Sequence, residues 1–365
     1  LALGALTFNR TQVWKNNFTL WGDVVEKHPT VHLAWYNLGN AHTDTANYKD
    51  AIKYYDQAIR VVPLYYNAFI NRANAKTKTN DFVGAIEDLN FVISHDSTQV
   101  NAYINRAMAR RNLKDLKGAL DDYRVALGMK PKQPELYLSR GLVLFDLKDN
   151  EGAIKDFTRA IELNPAMLEA ITNRAFVKKS MGQLEEAASD YDLAIGIQPG
   201  NPELYNNRGN IRFQQGRTRE AIDDYGRSMK ADPKNYLAYK NRGAIYFTQK
   251  DYKSALSDYS EAIRLSPGMA DLWYTRTLIR KELGDMTGAT ADYNKAVSLD
   301  ANFGTDAYSK QLGIKPVQAM PPYEQFNKDG LAADKQGKNQ EAISLFRKAI
   351  DLHGNYAEAW FNLGN

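Results

Sequence analysis

Cysteine is absent from this 365-residue chain, and histidine occurs only five times. The lack of cysteine excludes a disulfide framework, thiol catalysis and any metal site built on cysteine. The histidines are scattered, and His28 and His32 lie on either side of Pro29, so these two share no helical face. We therefore expect neither a metal nor a cofactor.

Charge of one sign is also lacking, because 47 basic and 43 acidic residues are interspersed and leave a net charge of +4. This balance is too small and too mixed to indicate binding to nucleic acid. The opening apolar segment, Leu1–Phe8, is far shorter than the about 20 residues that cross a bilayer. The zinc-protease helix motif, the phosphate-binding glycine loop and the nucleophile elbow do not occur. We expect a protein without catalytic activity.

What the chain does contain is a period of 34 residues. Counted from His32, position twenty is alanine in every period from Ala51 to Ala289. Position four is aromatic except at Ile171, and reads Trp35, Phe69, Tyr103, Tyr137, Ile171, Tyr205, Tyr239 and Trp273. A period of this length is typical of stacked helical hairpins, because one hairpin is too small to bury its own apolar face.

The internal pattern of each repeat predicts how its two helices pack. Position eight is small, as in Gly39, and position twenty-four is large, as in Tyr55. Two antiparallel helices joined by a turn near position fifteen place these positions level with each other, so the small residue makes room for the ring. Prolines at position thirty-two, such as Pro63, end most repeats because proline cannot continue a helix.

These residues resemble the tetratricopeptide repeat pattern. The resemblance implies an all-α fold, a right-handed superhelix of antiparallel helix pairs, and a general role in binding proteins. We expect eight repeats at 32–303, an irregular insertion or hinge at 304–322, a ninth repeat at 323–356, and the start of a tenth, truncated repeat at 357–365. The insertion contains a candidate short helix around Thr305–Leu312.

Residues 1–31 precede the first repeat. An apolar run that ends at Phe8 and is followed by Arg10, Trp14 and Lys15 is typical of the end of a membrane helix and its interfacial belt. The stretch from Asn17 to Pro29 follows the same grid from position twenty onward, which predicts a capping half-repeat.

The sequence from Arg10 to Pro29, with Trp14 and Leu20-Trp21, resembles a junction in multispanning membrane proteins related to protein O-mannosyltransferases. In those proteins the last membrane helix runs into tetratricopeptide repeats. The resemblance implies a membrane-associated chain, attached through residues upstream of Leu1, whose repeats face the periplasm or the extracytoplasmic side. The alternative is a free-standing, cytoplasmic adaptor in which Leu1–Phe8 is simply the first apolar helix.

Arginine occupies position seven in repeats two to eight, where the family usually has leucine, and aspartate occupies position twenty-three of the same repeats. Repeat one lacks both residues and has Leu38 and Tyr54 instead. Because positions seven and twenty-three average to fifteen, the turn, each pair should lie at one height across the two helices. We predict a structural ion pair in each repeat, with a basic ladder for an acidic ligand as the alternative.

The candidate binding residues are asparagines at positions six and nine, on the face of the first helix that lines the inner groove in this family. They are Asn37, Asn71, Asn105, Asn173, Asn207 and Asn241 at position six, and Asn40, Asn74 and Asn210 at position nine. A carboxamide offers a donor and an acceptor, so a row of them can hold an extended peptide backbone. The row resembles one in the repeat domain of O-linked N-acetylglucosamine transferase. The alternative is that these amides bond neighbouring helices.

Apolar residues at positions five and twelve, such as Ile70, Leu138 and Phe213, are candidate exposed anchors for a partner. The hypothesis is therefore a non-catalytic scaffold that binds an extended segment of a partner protein in a concave groove. The soluble C-terminal part of a membrane glycosyltransferase-like protein is its expected context, and a free-standing tetratricopeptide adaptor is the alternative.

Overall fold

The structure is a computed structural model that describes residues 14–305, 312–313, 322–355 and 357–364. These residues form α-helices and one 3-10 turn, and no strand occurs among them. The chain divides into two compact units, Leu1–Ile197 and Gln198–Asn365. Within each unit the helices alternate as first and second helices of successive repeats and pack on their neighbours in sequence. The predicted all-α fold of stacked helix pairs is confirmed.

In the first compact unit the described residues start with α1, which occupies the place of a second helix, and continue with the five helix pairs of repeats one to five. Its helices are α1 (Asn17–Lys27), α2 (His32–Asp44), α3 (Tyr48–Val61), α4 (Tyr66–Lys78), α5 (Phe82–His95), α6 (Val100–Asn112), α7 (Leu116–Met129), α8 (Pro134–Asp146), α9 (Asn150–Leu163), α10 (Leu168–Ser180) and α11 (Leu184–Ile197).

The second compact unit holds repeats six to nine and the first helix of a tenth. Its helices are α12 (Pro202–Gln214), α13 (Thr218–Ala231), α14 (Tyr236–Thr248), α15 (Tyr252–Leu265), α16 (Ala270–Glu282), α17 (Met286–Leu299), α18 (Pro322–Lys335), α19 (Asn339–Leu352) and α20 (Ala357–Gly364), with the 3-10 turn at Ala301–Gly304.

The turn between the two helices of each repeat falls at position fifteen, as predicted. This residue has a positive φ in every repeat, for example 58° at Ala46 and 78° at Gly182. The next residue is often an aspartate that caps the second helix, as where Asp81 Oδ1 accepts a hydrogen bond of 3.0 Å from the Gly84 backbone. A left-handed residue followed by a capping carboxylate ends one helix and starts the other within a few residues.

The close approach of positions eight and twenty-four is also confirmed. A Cβ added to Gly39 would lie 2.6 Å from the ring of Tyr55. Tyr55 and the position-twenty alanine, Ala51, are both fully buried. The glycine therefore leaves space that the ring fills, and the alanine lets the two backbones come together.

Two predictions from the sequence fall largely outside the described residues: the apolar run Leu1–Phe8 and the short helix around Thr305–Leu312. Of the stretch before the first repeat, the structure shows that α1 packs on α2. Among the described residues no helix has the length and apolar character needed to span a bilayer. The predicted boundaries of the insertion and of the ninth and tenth repeats stay a prediction.

Candidate functional site

The arginines at position seven meet the aspartates at position twenty-three in every repeat that has them. In each pair the arginine Nε donates to Oδ2 and Nη2 donates to Oδ1. The pairs are Arg72–Asp88, Arg106–Asp122, Arg140–Asp156, Arg174–Asp190, Arg208–Asp224, Arg242–Asp258 and Arg276–Asp292. All seven aspartates are buried. The predicted ion pairs are confirmed.

Further contacts tie these pairs to their surroundings. A second cation at position eleven reaches the same carboxylate in several repeats, as where Lys76 Nζ lies 3.0 Å from Asp88 Oδ2. In repeats two, three, five and eight the remaining guanidinium nitrogen, Nη1, donates to position twenty-five of the preceding repeat, as from Arg72 to Asp56 Oδ1 at 2.6 Å. The ion pair thus links two helices of one repeat, and in these four repeats its arginine also links that repeat to the one before it.

The hydrogen bond with Asp156 raises the pKa of Arg140, so the arginine remains charged at any pH at which the fold exists. Because donors and acceptors in these clusters are largely used by one another, they act as structural links rather than as a site for an acidic ligand. The sequence analysis missed the second cation, although lysine or arginine recurs at position eleven.

Repeat one, which lacks the ion pair, fills the same region with rings. Tyr54, at position twenty-three, is stacked on Trp35 with centroids 6.2 Å apart and on His42 with centroids 4.9 Å apart. Leu38, at position seven, is buried. The joint absence of arginine and aspartate in this repeat therefore replaces an ion pair with an aromatic stack.

Four of the nine predicted asparagines take part in hydrogen bonds between helices. In repeats one and two, Asn40 Oδ1 accepts from the Tyr55 hydroxyl at 2.8 Å and from Asn71 Nδ2 at 2.9 Å. Asn71 Nδ2 also donates to the Tyr36 hydroxyl at 3.0 Å. The amide at position nine therefore joins the second helix of its own repeat to the first helix of the next.

The same arrangement recurs in repeats six and seven. Asn210 Oδ1 accepts from the Tyr225 hydroxyl at 2.7 Å and from Asn241 Nδ2 at 3.1 Å. Asn241 Nδ2 also lies 3.0 Å from Asn206 Oδ1. Burial raises the pKa of Tyr225 strongly, so its hydroxyl stays protonated and available as a donor. For these four residues the structure supports the alternative interpretation, in which the amides bond neighbouring helices.

The other five asparagines are not used in this way. Asn173 Nδ2 donates to a backbone carbonyl of its own helix, at Glu169. Asn37, Asn74, Asn105 and Asn207 are half-buried and make no hydrogen bond within the part of the chain that the structure describes. For Asn74 and Asn105 the reason is clear: repeat two has Leu89 at position twenty-four, so the hydroxyl that organises the amides elsewhere is missing.

Large apolar side chains also occupy position nine, which the sequence analysis considered only for its asparagines. Position nine changes from asparagine in repeats one and two to Met108, Leu142 and Phe176 in repeats three to five. Phe176 is 52% exposed and Met108 is 38% exposed. Phe145, at position twelve, meets Phe176 edge-on with ring centroids 5.7 Å apart. We call Met108, Leu142, Phe145 and Phe176 the apolar row.

The prediction of exposed anchors at position five is wrong for Ile70 and Leu138. These side chains are 7% and 6% exposed, and Ile70 belongs to a cluster that includes Phe69 and Ala102 of the next repeat. Position five is covered because the first helix of the next repeat packs over it. At position twelve, Phe213 is 41% exposed, as expected.

Models of known protein families match much of this chain. Family models described as tetratricopeptide repeat match residues 32–63, 134–167, 206–270, 270–303 and 328–365, and a model described as TPR repeat matches 177–216. The chain belongs to the tetratricopeptide repeat family. This confirms the resemblance drawn from the 34-residue pattern. None of the curated proteins compared matches the chain.

Several solved structures are similar at low identity. A tetratricopeptide repeat protein from Parabacteroides merdae ATCC 43184 is 21% identical, with a TM-score of 0.49, over 73% of this chain and 98% of that one. MamA from Desulfovibrio magneticus RS-1 is 17% identical, with a TM-score of 0.43, over 46% and 95%. YrrB, described as a TPR protein with an unusual peptide-binding site, is 19% identical, with a TM-score of 0.37, over 60% and 95%. Nothing about function follows from similarity at this level.

Proposed function

We propose that this chain is a non-catalytic scaffold that binds an extended segment of a partner protein along the first helices of its repeats. The observation that supports it most directly is the set of unbonded amides at Asn74 and Asn105, together with the exposed Met108 and Phe176 on the first helices of repeats three and five. An extended segment supplies what these groups lack, namely backbone N–H and C=O groups for the amides and side chains to cover the apolar surface.

The nine asparagines then divide into two roles. Asn40, Asn71, Asn210 and Asn241 hold successive repeats in register through the tyrosine hydroxyls. Asn37, Asn74, Asn105 and Asn207 keep their carboxamides available for a partner, and Asn173 is attached only to its own helix. Half-buried amides without a partner gain hydrogen bonds on binding without first breaking any within the protein.

A display library of random 12-residue peptides, selected on the immobilised chain, provides ligands for the test. The double change Asn74→Ala and Asn105→Ala should weaken binding of the selected peptides at least tenfold and leave the melting temperature unchanged. The matched double change Asn40→Ala and Asn71→Ala should lower the melting temperature. Peptide affinity unaffected by Asn74→Ala and Asn105→Ala would contradict the proposal.

A finer proposal concerns the setting of the scaffold. We propose that it is the soluble C-terminal part of a membrane glycosyltransferase-like protein, with the repeats on the periplasmic or extracytoplasmic side. The support is the resemblance of the stretch from Arg10 to Pro29, with Trp14 and Trp21, to the junction in O-mannosyltransferase-related proteins. A series of apolar segments encoded upstream of Leu1 is the expected result. A start codon directly upstream of Leu1 would instead favour the free-standing soluble adaptor.

A further inference from the structure

We propose that the partner segment docks on repeats three to five, that it carries large apolar side chains at about every third residue, and that carboxylates flank them. This inference rests on the proposed function, because it specifies the chemistry of the segment that the first helices bind. Repeats three to five lie within the first compact unit.

The apolar row has members on the first helices of repeats three, four and five. Phe145 of repeat four and Phe176 of repeat five are in ring contact, and Arg111 of repeat three donates to Asp146 of repeat four at 2.6 Å. These contacts join the three first helices, which carry Met108, Leu142 and Phe176 at the same repeat position. Exposed apolar side chains that adjoin one another on a single face are typical of a docking surface, whereas isolated ones are not.

The charged residues that follow the apolar row in the sequence indicate the sign of the charge on the partner segment. Three lysines follow members of the row in the sequence: Lys114 and Lys148 at position fifteen, and Lys179 at position twelve. None of them forms an ion pair among the described residues. The ammonium of Lys148 lies 5.7 Å from the centroid of the Phe145 ring. We call these three lysines the basic edge.

The carboxylates that share this edge are already engaged. Asp146 accepts from Arg111, and Asp115 and Asp149 accept hydrogen bonds from the backbone as helix caps, at 3.0 and 2.9 Å. The acidic residues Glu135 and Glu169 lie at the other ends of the first helices, at position two. A segment lying on the apolar row therefore meets unpaired positive charge on one flank, which favours carboxylates on that side.

The spacing of the row sets the spacing of the partner's anchors. Side-chain contacts join the first helices of repeats three and four and those of repeats four and five, and packed helices lie about 10 Å apart. An extended segment in the polyproline II conformation advances about 3.1 Å per residue with three residues per turn, so every third side chain lies on the same face. Side chains about three residues apart therefore reach successive members of the row, whereas alternate residues of a flat strand do not.

Lysines near the end of a helix also stabilise the helix dipole, and this alone could account for the basic edge. The two roles give different results when charge is exchanged between protein and peptide. If the lysines only stabilise the helix dipole, replacing them with glutamate changes helix stability but not the preference for peptide charge. If they contact the partner, the same replacement reverses that preference.

The test uses the full chain and three synthetic, fluorescently labelled peptides, with binding followed by anisotropy. The first peptide has leucine or phenylalanine at every third residue with glutamate between them. The second has the same composition with the apolar residues at every second position. The third has the spacing of the first with lysine in place of glutamate. We expect the first peptide to bind at least tenfold more tightly than either of the others.

Substitutions locate the site. Phe176→Ser and Met108→Ser should each weaken the first peptide at least fivefold, whereas Val83→Ser should not, because Val83 is 59% exposed on a second helix away from the row. The double change Lys148→Glu and Lys179→Glu should make the lysine peptide bind more tightly than the glutamate peptide. Circular dichroism melting of each variant separates lost binding from lost folding.

The outcomes distinguish this inference from the function on which it rests. If library peptides bind through Asn74 and Asn105 but show no preference for apolar spacing or acidic flanks, the inference is wrong and the scaffold function stands. If no peptide from either set binds, both are wrong. Equal affinity of the glutamate and lysine peptides for every variant would also overturn the inference.

Discussion

The guanidinium of Arg208 donates two parallel hydrogen bonds to the carboxylate of Asp224, Nε to Oδ2 at 2.9 Å and Nη2 to Oδ1 at 2.5 Å. Arg208 is 6% exposed and Asp224 is fully buried. A third group, Arg212 Nη1, donates to the same carboxylate at 2.9 Å. Removing the aspartate therefore takes a shared carboxylate away from two cations, whereas removing Arg208 leaves the aspartate one partner.

The first prediction follows from this geometry. Asp224→Leu and Arg208→Met should each lower the free energy of unfolding by about 3–5 kcal/mol, with Asp224→Leu the more damaging of the two. The double variant should lose less than the sum of the single changes, because both substitutions break the same contact. Urea denaturation of the four proteins measures the coupling.

The exposed pair Asp50–Lys53 serves as the control for that cycle, since the carboxylate and ammonium are 2.7 Å apart at the surface. Its removal should leave the denaturation midpoint unchanged, because solvent screens such pairs. Additive effects of Arg208→Met and Asp224→Leu would show that their contact contributes nothing specific to folding.

The second prediction concerns the tyrosine at the centre of the amide network in repeats six and seven. Tyr225→Phe removes the hydroxyl that donates to Asn210 Oδ1 at 2.7 Å, and should cost about 0.5–1.5 kcal/mol of unfolding free energy. Tyr48→Phe should cost nothing measurable, because the Tyr48 hydroxyl makes no hydrogen bond in the described part of the chain. Thermal melting that shifts equally for both variants would argue against the network.

The third prediction tests the turn at position fifteen. Ala46 has a φ of 58°, where a Cβ is strained, so Ala46→Gly should raise the unfolding free energy by about 0.5–1 kcal/mol. The reverse change at the equivalent position of repeat five, Gly182→Ala, should lower it by a similar amount, since Gly182 has a φ of 78°. Calorimetric melting temperatures that move in the same direction for both variants would refute this account.

The fourth prediction concerns alkaline pH. Burial raises the pKa of Tyr259 from its ordinary value of 10.0 to about 12. Between these values the unfolded chain loses the proton and the folded chain keeps it, so stability is unaffected below pH 10 and falls as the pH rises toward 12. Tyr259→Phe should flatten this part of the curve of unfolding free energy against pH. A slope above pH 10 identical to that of the unsubstituted protein would contradict the assignment.

Much of the fold was predictable because the pattern repeats within one chain. The pairing of Arg72 with Asp88, and the joint absence of both residues in repeat one, required only a comparison of equivalent positions. The contact of Gly39 with Tyr55 followed from complementary size. These are contacts within one hairpin, where sequence spacing determines which residues face each other.

The binding face was less predictable because it depends on neighbouring repeats. Asn40 and Asn74 share position nine, yet only Asn40 is bonded, since Tyr55 offers a hydroxyl where Leu89 does not. Ile70 was predicted to be exposed from its place on its own helix, and it is covered by the next repeat. The exposed row at Met108 and Phe176 was visible in the sequence only as a change of residue type at position nine.

An arginine at position seven can donate a third hydrogen bond, from Nη1 to the preceding repeat, and this bond is present at some repeat boundaries and missing at others. Arg72 and Arg106 reach acceptors in the preceding repeat, at Asp56 and Asn90. Arg140 and Arg242 form no such bond among the described residues, because the preceding repeats offer Arg124 and Gly226 at that place.

In a linear array, the coupling between neighbours decides how far a local opening spreads. Cooperativity is therefore uneven within each compact unit: the contacts before repeats four and seven lack a hydrogen bond that the contacts before repeats two, three, five and eight have. Under load or in mild denaturant, each unit should open first at the boundary that lacks this bond, before repeat four in one and before repeat seven in the other.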